Sequence, residues 1–132
     1  MATLKSTIKL ESTDLFPSPV SFTVINNNGV AGDFTSFSTV SVNTTPQPLN
    51  VHEIDGASQT AYCYFAAPSS NTTPVYVAYG TAGSSTGSAF VKLAAGDVAF
   101  LPVGRDAAST PNLIAYTLTS IGSINYFVGN KD

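Results

Sequence analysis

The chain contains few of the residues that carry out chemistry. Its 132 residues include five basic and eight acidic ones, a single histidine, a single cysteine and no tryptophan. Metal sites need several nitrogen, sulfur or carboxylate ligands that converge, and nucleophilic catalysis needs a base that contacts the nucleophile. We therefore expect no enzymatic activity, no metal site and no cofactor.

The scarcity of charge also restricts the partners. Five scattered cations cannot form the basic stripe that binding to nucleic acid requires. No stretch approaches the roughly 18 apolar residues of a membrane-spanning helix, and the N-terminal residues lack the apolar run of a secretory signal. We expect no binding to nucleic acid, no membrane association and synthesis in a cytoplasm. A surface of hydroxyls, amides and backbone suits packing against neighbours, because contact leaves few charges without water.

The residues that are present build strands and turns. Apolar residues make up 43% of the chain and recur in short runs, which Ser, Thr, Gly, Pro and Asn separate. A chain of this length fits one domain. The spacing predicts a single all-β domain over residues 1–132, a β-sandwich or jelly roll of about eight to ten short antiparallel strands without helix. The predicted strands lie near residues 4–10, 20–24, 37–42, 49–54, 61–66, 75–79, 89–93, 98–101, 113–118 and 124–128.

The opening strand is the candidate interaction element. Leu4, Ile8 and Leu10 share one of its faces, since side chains alternate along a strand. Residues 1–14 form either an extended arm or an edge strand of the sandwich. Because a terminal strand can extend onto the edge of a partner's sheet, these three side chains are the predicted contact residues.

Several turns are predicted from residue type. Asn26-Asn27-Asn28-Gly29 is the clearest turn signal, since Asn and Gly tolerate positive φ. Phe16-Pro17-Ser18-Pro19 predicts a bend, because proline blocks regular pairing. Asp97 and Asp106 lie in turn sequences where Asp hydrogen-bonds nearby backbone. Asn43 and Asn71 match the glycosylation pattern, but without a secretory signal we interpret them as turn residues.

Two of the central strands are apolar on both faces. This pattern holds in residues 75–79 and 113–118. One interpretation is that one face meets the core while the other meets a second subunit or a partner, which predicts a symmetric oligomer. The alternative is that loops of the same chain cover the second face.

The few chemical groups do not assemble into a site. His52 lies close to Glu53, Asp55 and Ser58, but alternation places His52 and Glu53 on opposite faces, so no triad is predicted. Cys63 lies among apolar residues and is predicted to be buried and unreactive.

Two other functional classes remain open. Residues 96–104 resemble the second signature of cupin jelly rolls, yet Ala107 stands where metal-binding cupins have a histidine. The resemblance thus favours a strand–turn architecture and disfavours a metal enzyme. Six Tyr and eight Phe leave open a carbohydrate-binding, lectin-like module, although the absence of Trp favours core and interface roles for the aromatic residues.

The C-terminal third resembles a known family. Residues 91–102, then Ile114-Ala115-Tyr116 and residues 124–128, are similar to the ending of small bacteriophage virion proteins, in which a Gly-Asp/Glu turn leads to a Phe-x-Pro strand and two closing strands. Residues 4–8 and 15–17 have a similar character. The resemblance covers about half of the chain.

This resemblance implies a structural role without catalytic residues. It favours a capsid decoration (cement) protein on the capsid exterior, which binds the major capsid protein and stabilises the shell by bridging subunits. A phage tail or fibre component is the alternative. The resemblance also favours a homotrimer over a dimer, because decoration proteins often occupy three-fold positions.

Overall fold

The chain folds as an antiparallel all-β protein. A computed structural model describes residues 2–14, 17–49, 59–80, 89–105 and 113–131. These residues form nine strands and no helix, which confirms the predicted fold class. The described part therefore has no helix of the length and apolarity that a membrane crossing requires. The strands are β1 (Ala2–Ser12), β2 (Val20–Val42), β3 (Gln47–Pro48), β4 (Gln59–Ala66), β5 (Val75–Tyr79), β6 (Ala89–Leu93), β7 (Val98–Arg105), β8 (Leu113–Tyr116) and β9 (Gly122–Lys131).

The strands form two sheets. One sheet has five strands in the order β1-β2-β9-β4-β7, and the other has four in the order β3-β8-β5-β6. Strands β2 to β9 thus follow the order of an eight-stranded jelly roll, in which the chain crosses repeatedly between two facing sheets. Strand β1 adds a ninth strand beside β2.

The core lies between the two sheets, because the side chains of each strand alternate between the inner and the outer face of its sheet. In β4, Ala61, Cys63 and Phe65 are fully buried, whereas Tyr62 and Tyr64 point outward and are half-buried. The four-stranded sheet contributes fully buried side chains to the same cluster from β5 and β8, and the five-stranded sheet contributes others from β2 and β9. The predicted burial of Cys63 is confirmed.

The second apolar face of β5 and β8 is covered by the chain itself. Ala78, Ile114 and Tyr116 form a cluster of their own on the outer face of the four-stranded sheet, and they are at most 4% exposed. The Tyr76 and Tyr116 rings stack on this face with their centroids 5.5 Å apart. Of the two interpretations of these strands, coverage within the chain is therefore the one that the structure supports. These three residues therefore give no support to a subunit interface on this face, and the symmetric oligomer stays a prediction.

The predicted turn at Asn26-Asn27-Asn28-Gly29 is also wrong. These residues lie inside β2, where they pair in register with residues 3–6 of β1. Asn and Gly permit positive φ without requiring it, and the ladder partners in β1 keep this segment extended. The two strands predicted at residues 20–24 and 37–42 are thus one strand, whose register with β9 shifts between Val30 and Thr35.

The other predicted turns that lie in the described residues are present, and the predicted residues form them. Gly96 adopts a φ of 85° between β6 and β7, and the Asp97 carboxylate accepts a hydrogen bond from the Ala94 amide at 2.9 Å. Asn43 accepts one from the Thr45 amide at 2.7 Å. The predicted strand at residues 49–54 lies almost entirely outside the described residues, as does the connection after Gly80.

Candidate docking surface

The first two strands form a two-stranded arm. Strand β1 pairs with residues 20–30 of β2 over eleven consecutive residue pairs, from Ser12 opposite Val20 to Ala2 opposite Val30. Strand β9 pairs with β2 only at Val30 and from Thr35 onward. Among the described strands, residues 20–29 of β2 therefore have β1 as their sole partner. At about 3.3 Å per residue, this arm extends about 30 Å.

The arm has one apolar and one polar face. Because directly opposed residues project to the same side, the register places Leu4, Ile8 and Leu10 on one face. That face also carries three apolar side chains of β2, which are Val20, Phe22 and Val24. The opposite face carries mostly Lys, Thr, Ser and Asn, with Ile25 as its apolar exception.

The apolar face is exposed to a degree that is unusual for large apolar side chains. Leu10 is 62% exposed and Phe22 is 54% exposed. Ile8, Val20 and Val24 are also exposed. Contiguous exposed apolar residues on one face mark an interaction site more often than isolated ones do.

An apolar groove separates the arm from the outer face of the five-stranded sheet. Its volume is about 690 Å³. Residues 4–10 of β1 form one side, and the other side consists of Tyr64, Phe127 and residues 98–100. The arm thus lies over the aromatic outer face of its own sheet, and the groove keeps the two from packing tightly.

The floor of this groove is built by adjacent strands of the sheet. Phe127 and Phe100 both lie directly opposite Tyr64 in the register, one on each side of β4. The ring of Phe100 also stacks with that of Tyr62 at 6.2 Å between centroids. At the rim, Val98 is 63% exposed. This arrangement presents a continuous apolar surface beneath the arm.

The charges of the arm are distributed along its length. Lys5 lies toward the base, whereas Glu11 and Asp14 lie at the tip, next to the connection between the two strands. Lys9 forms an ion pair with Glu11 at 2.7 Å, and both side chains are more than half exposed. An exposed pair of this kind contributes little stability. The groove lining itself contains Lys5 and Lys9 and no carboxylate.

The three predicted contact residues come together in this structure. Leu4, Ile8 and Leu10 lie on one face of β1, and all three line the groove. The sequence did not identify the aromatic floor of the groove, and it did not place Phe22 beside Leu10 on the apolar face of the arm. The alternation around Phe22 was visible, but the expected turn at residues 26–29 hid the pairing that places this side chain beside Leu10.

The other candidate groups have structural environments or lie outside the described residues. Burial raises the pKa of the Cys63 thiol to about 12, which keeps it protonated and unreactive at neutral pH. His52, its acidic neighbours and Ser58 lie outside the described residues, as do Asp106 and Ala107. Within the described ranges, no three His, Cys, Asp or Glu residues cluster in a way that could hold a metal ion.

Comparisons with protein-family models, with curated proteins and with solved structures returned no match for this chain. The functional assignment consequently depends on the geometry of the arm and the groove.

Proposed function

We propose that this chain is a non-enzymatic structural protein of a bacteriophage particle, and that it decorates the capsid exterior and stabilises the shell. The observation that carries the proposal is the uncovered apolar face of the arm. A side chain such as Phe22, which is 54% exposed, favours burial in an assembly over exposure to water. The resemblance of residues 91–102 and 124–128 to virion proteins favours a phage particle as this assembly.

The jelly-roll topology is compatible with this role without establishing it. The same architecture occurs in viral capsid proteins, lectins and cupins. The choice among these functions therefore depends on the features of the surface. The arm offers an extended contact element, and the low charge of the chain lets large areas come into contact without leaving ions unpaired. These features favour a structural component whose partner is the major capsid protein.

A decoration protein stabilises a shell by mass action. Whatever binds the assembled lattice and not its free subunits shifts the equilibrium toward the assembled form, by RT ln(1 + [L]/Kd) per site. An oligomer of the chain, for which we keep the trimer as the favoured state, gains further affinity from simultaneous contacts. With few charges available for ion pairs, binding should depend weakly on salt.

The test uses phage particles made with and without this chain. We expect electron microscopy to locate the chain on the capsid exterior, and we expect shells that lack it to break at lower temperature. Location in the tail or a fibre, or equal survival of both kinds of shell on heating, would overturn the proposal.

The aromatic face gives one specific reason to test carbohydrate binding as a second candidate. The stacked Tyr62 and Phe100 rings are half-buried, and sugar rings bind on the faces of aromatic side chains. Binding to a glycan array that is lost in Tyr62→Ala would favour a lectin-like module. No binding at millimolar glycan would eliminate it.

A further inference from the structure

The edge of one strand borders the groove. Consecutive residues of β1, from residue 4 to residue 10, all line the groove. Because neighbouring side chains of a strand project to opposite faces, a groove that contacted only one face of β1 would be lined by every second residue. The unbroken run indicates that the groove also borders the backbone of β1, along the edge that faces away from β2.

This edge of β1 has no strand partner among the described strands, since β1 stands at one end of the order β1-β2-β9-β4-β7 and pairs with β2. In an antiparallel ladder, the amides of alternate residues point to opposite edges of the strand. About half of the amides of residues 4–10 therefore point toward the groove. An open row of backbone donors and acceptors is a template for a further strand.

The opposite border of the groove is less suited to pairing. It includes residues 98–100 of β7, which is the strand at the other end of the same sheet. Strand β7 contains Pro102, and proline has no amide hydrogen to donate to a ladder. Residues 4–10 of β1 contain no proline, so the edge of β1 is the one that can pair without interruption.

We propose that the groove binds an extended peptide segment of a partner, without basic residues, which adds to the open edge of β1 as a further strand. At about 3.3 Å per residue, residues 4–10 span about 20 Å, the length of a strand of about six residues. Alternate side chains of the segment then contact the floor of Tyr64, Phe100 and Phe127. Main-chain hydrogen bonds supply affinity in this binding mode, and the floor selects apolar residues at every second position.

The charges beside this edge disfavour a basic segment. Lys5 and Lys9 both line the groove, and Lys9 forms its ion pair with Glu11. Like charges on directly opposed residues of neighbouring strands are destabilising. A lysine or arginine of the segment opposite Lys5 would therefore weaken the pairing.

This site shares β1 with the apolar face of the arm, but it does not include Phe22. Among the described residues, none of β2 lines the groove. The inference concerns the purified chain and a peptide, and it does not require the proposed role in a particle. Failure of one proposal therefore leaves the other intact.

Amide exchange of the purified chain, resolved by residue with NMR, tests the proposal. The probe is an acetylated and amidated hexapeptide in which Val and Thr alternate, and the matched control peptide has the same composition with all Val residues before all Thr residues. In the free chain, alternate amides of residues 4–10 should exchange rapidly, because they point away from β2. Saturating probe should slow these amides at least about tenfold. The control peptide should bind at least about tenfold more weakly than the probe.

A pair of variants tests the floor of the groove. Phe100→Ser removes one aromatic ring of the floor and should weaken binding of the probe about tenfold. Phe90→Ser is the matched control, because Phe90 is 39% exposed and lies on the four-stranded sheet. It should change binding by less than about twofold.

Other results would overturn the proposal. Equal binding of the two peptides, or no binding at millimolar peptide, would show that the groove does not accept an added strand. Slow exchange of all amides of residues 4–10 in the free chain, at every concentration, would show that the chain itself closes this edge. Slowing that grows with protein concentration in the absence of peptide would show that a second copy occupies it.

Discussion

At the scale of single residues, Cys63 shows how burial sets reactivity. Its side chain is fully buried and its pKa is raised to about 12. We expect thiol reagents to label the native protein slowly and the unfolded protein rapidly. Cys63→Ser should lower the free energy of unfolding by about 1–3 kcal/mol, since it buries a hydroxyl without an assured partner. Rapid labelling of the native chain would contradict this account.

The same pKa shift predicts a pH dependence. Because the thiol stays protonated in the folded state, its stabilising contribution is complete below the ordinary thiol pKa of about 8.5. The contribution is lost as the pH rises from there toward 12, since only the unfolded chain ionises. Wild type should therefore lose more stability than Cys63→Ser between these limits, as measured by denaturant unfolding. Parallel losses in the two proteins would show that Cys63 is not responsible.

Asn71 shows what a turn residue can contribute beyond its own turn. Its amide donates to the Ser123 carbonyl at 2.8 Å and accepts from the Ser123 amide at 3.0 Å, which ties the loop after β4 to the start of β9. Asn71→Ala should cost about 2–3 kcal/mol, because it leaves partly buried backbone groups unpaired. Asn43→Ala, which removes a single exposed bond, should cost about 0.5–1.5 kcal/mol. Thermal unfolding of both variants tests the difference, and equal costs would contradict it.

At the scale of elements, the turn between β6 and β7 depends on one glycine. Gly96 has a φ of 85° and its added Cβ would meet open space, so the cost of substitution comes from the backbone alone. We expect Gly96→Ala to destabilise the protein by about 1–2 kcal/mol. Gly96→Asn should cost less, since Asn tolerates this region. Chemical denaturation of both variants is the measurement, and an Ala variant as stable as wild type would contradict the role.

The strands show which parts of the fold could be predicted from the sequence. Strands β5 and β6 were predicted with the observed bounds, because each is a short apolar run that turn residues flank. The course of β2 was not predicted, since the ladder to β1 overrides the turn preference of Asn and Gly at residues 26–29. Local preference is weak here, and the partner strand that decides the outcome lies some twenty residues earlier.

The sequence likewise predicted one part of the candidate site and missed the other. Leu4, Ile8 and Leu10 were identified because they alternate within one strand. The aromatic floor was not, because Tyr64, Phe100 and Phe127 come from three strands that only the sheet order brings together. Sequence likewise could not reveal that the outer face of β8 is covered and that of the arm is not.

At the scale of the whole molecule, most of the large exposed apolar side chains of the described residues lie on the arm or at the rim of the groove. Deleting residues 1–10 would not test this cleanly, because it removes the residues of β1 that pair with residues 22–30 of β2. Point substitutions on the two faces of the arm avoid that difficulty. Phe22 and Ile25 are 54% and 57% exposed, respectively, and lie on opposite faces, so they form a matched pair.

The most direct measurement is sedimentation equilibrium of wild type, Phe22→Ser and Ile25→Ser. Burial of a Phe side chain is worth about 1.5–3 kcal/mol, so Phe22→Ser should weaken self-association by about 10- to 100-fold. Ile25→Ser should change the association constant by less than about threefold. Far-UV circular dichroism confirms that both variants are folded. Equal weakening by the two substitutions, or a wild-type chain that stays monomeric at the highest concentration, would contradict the account.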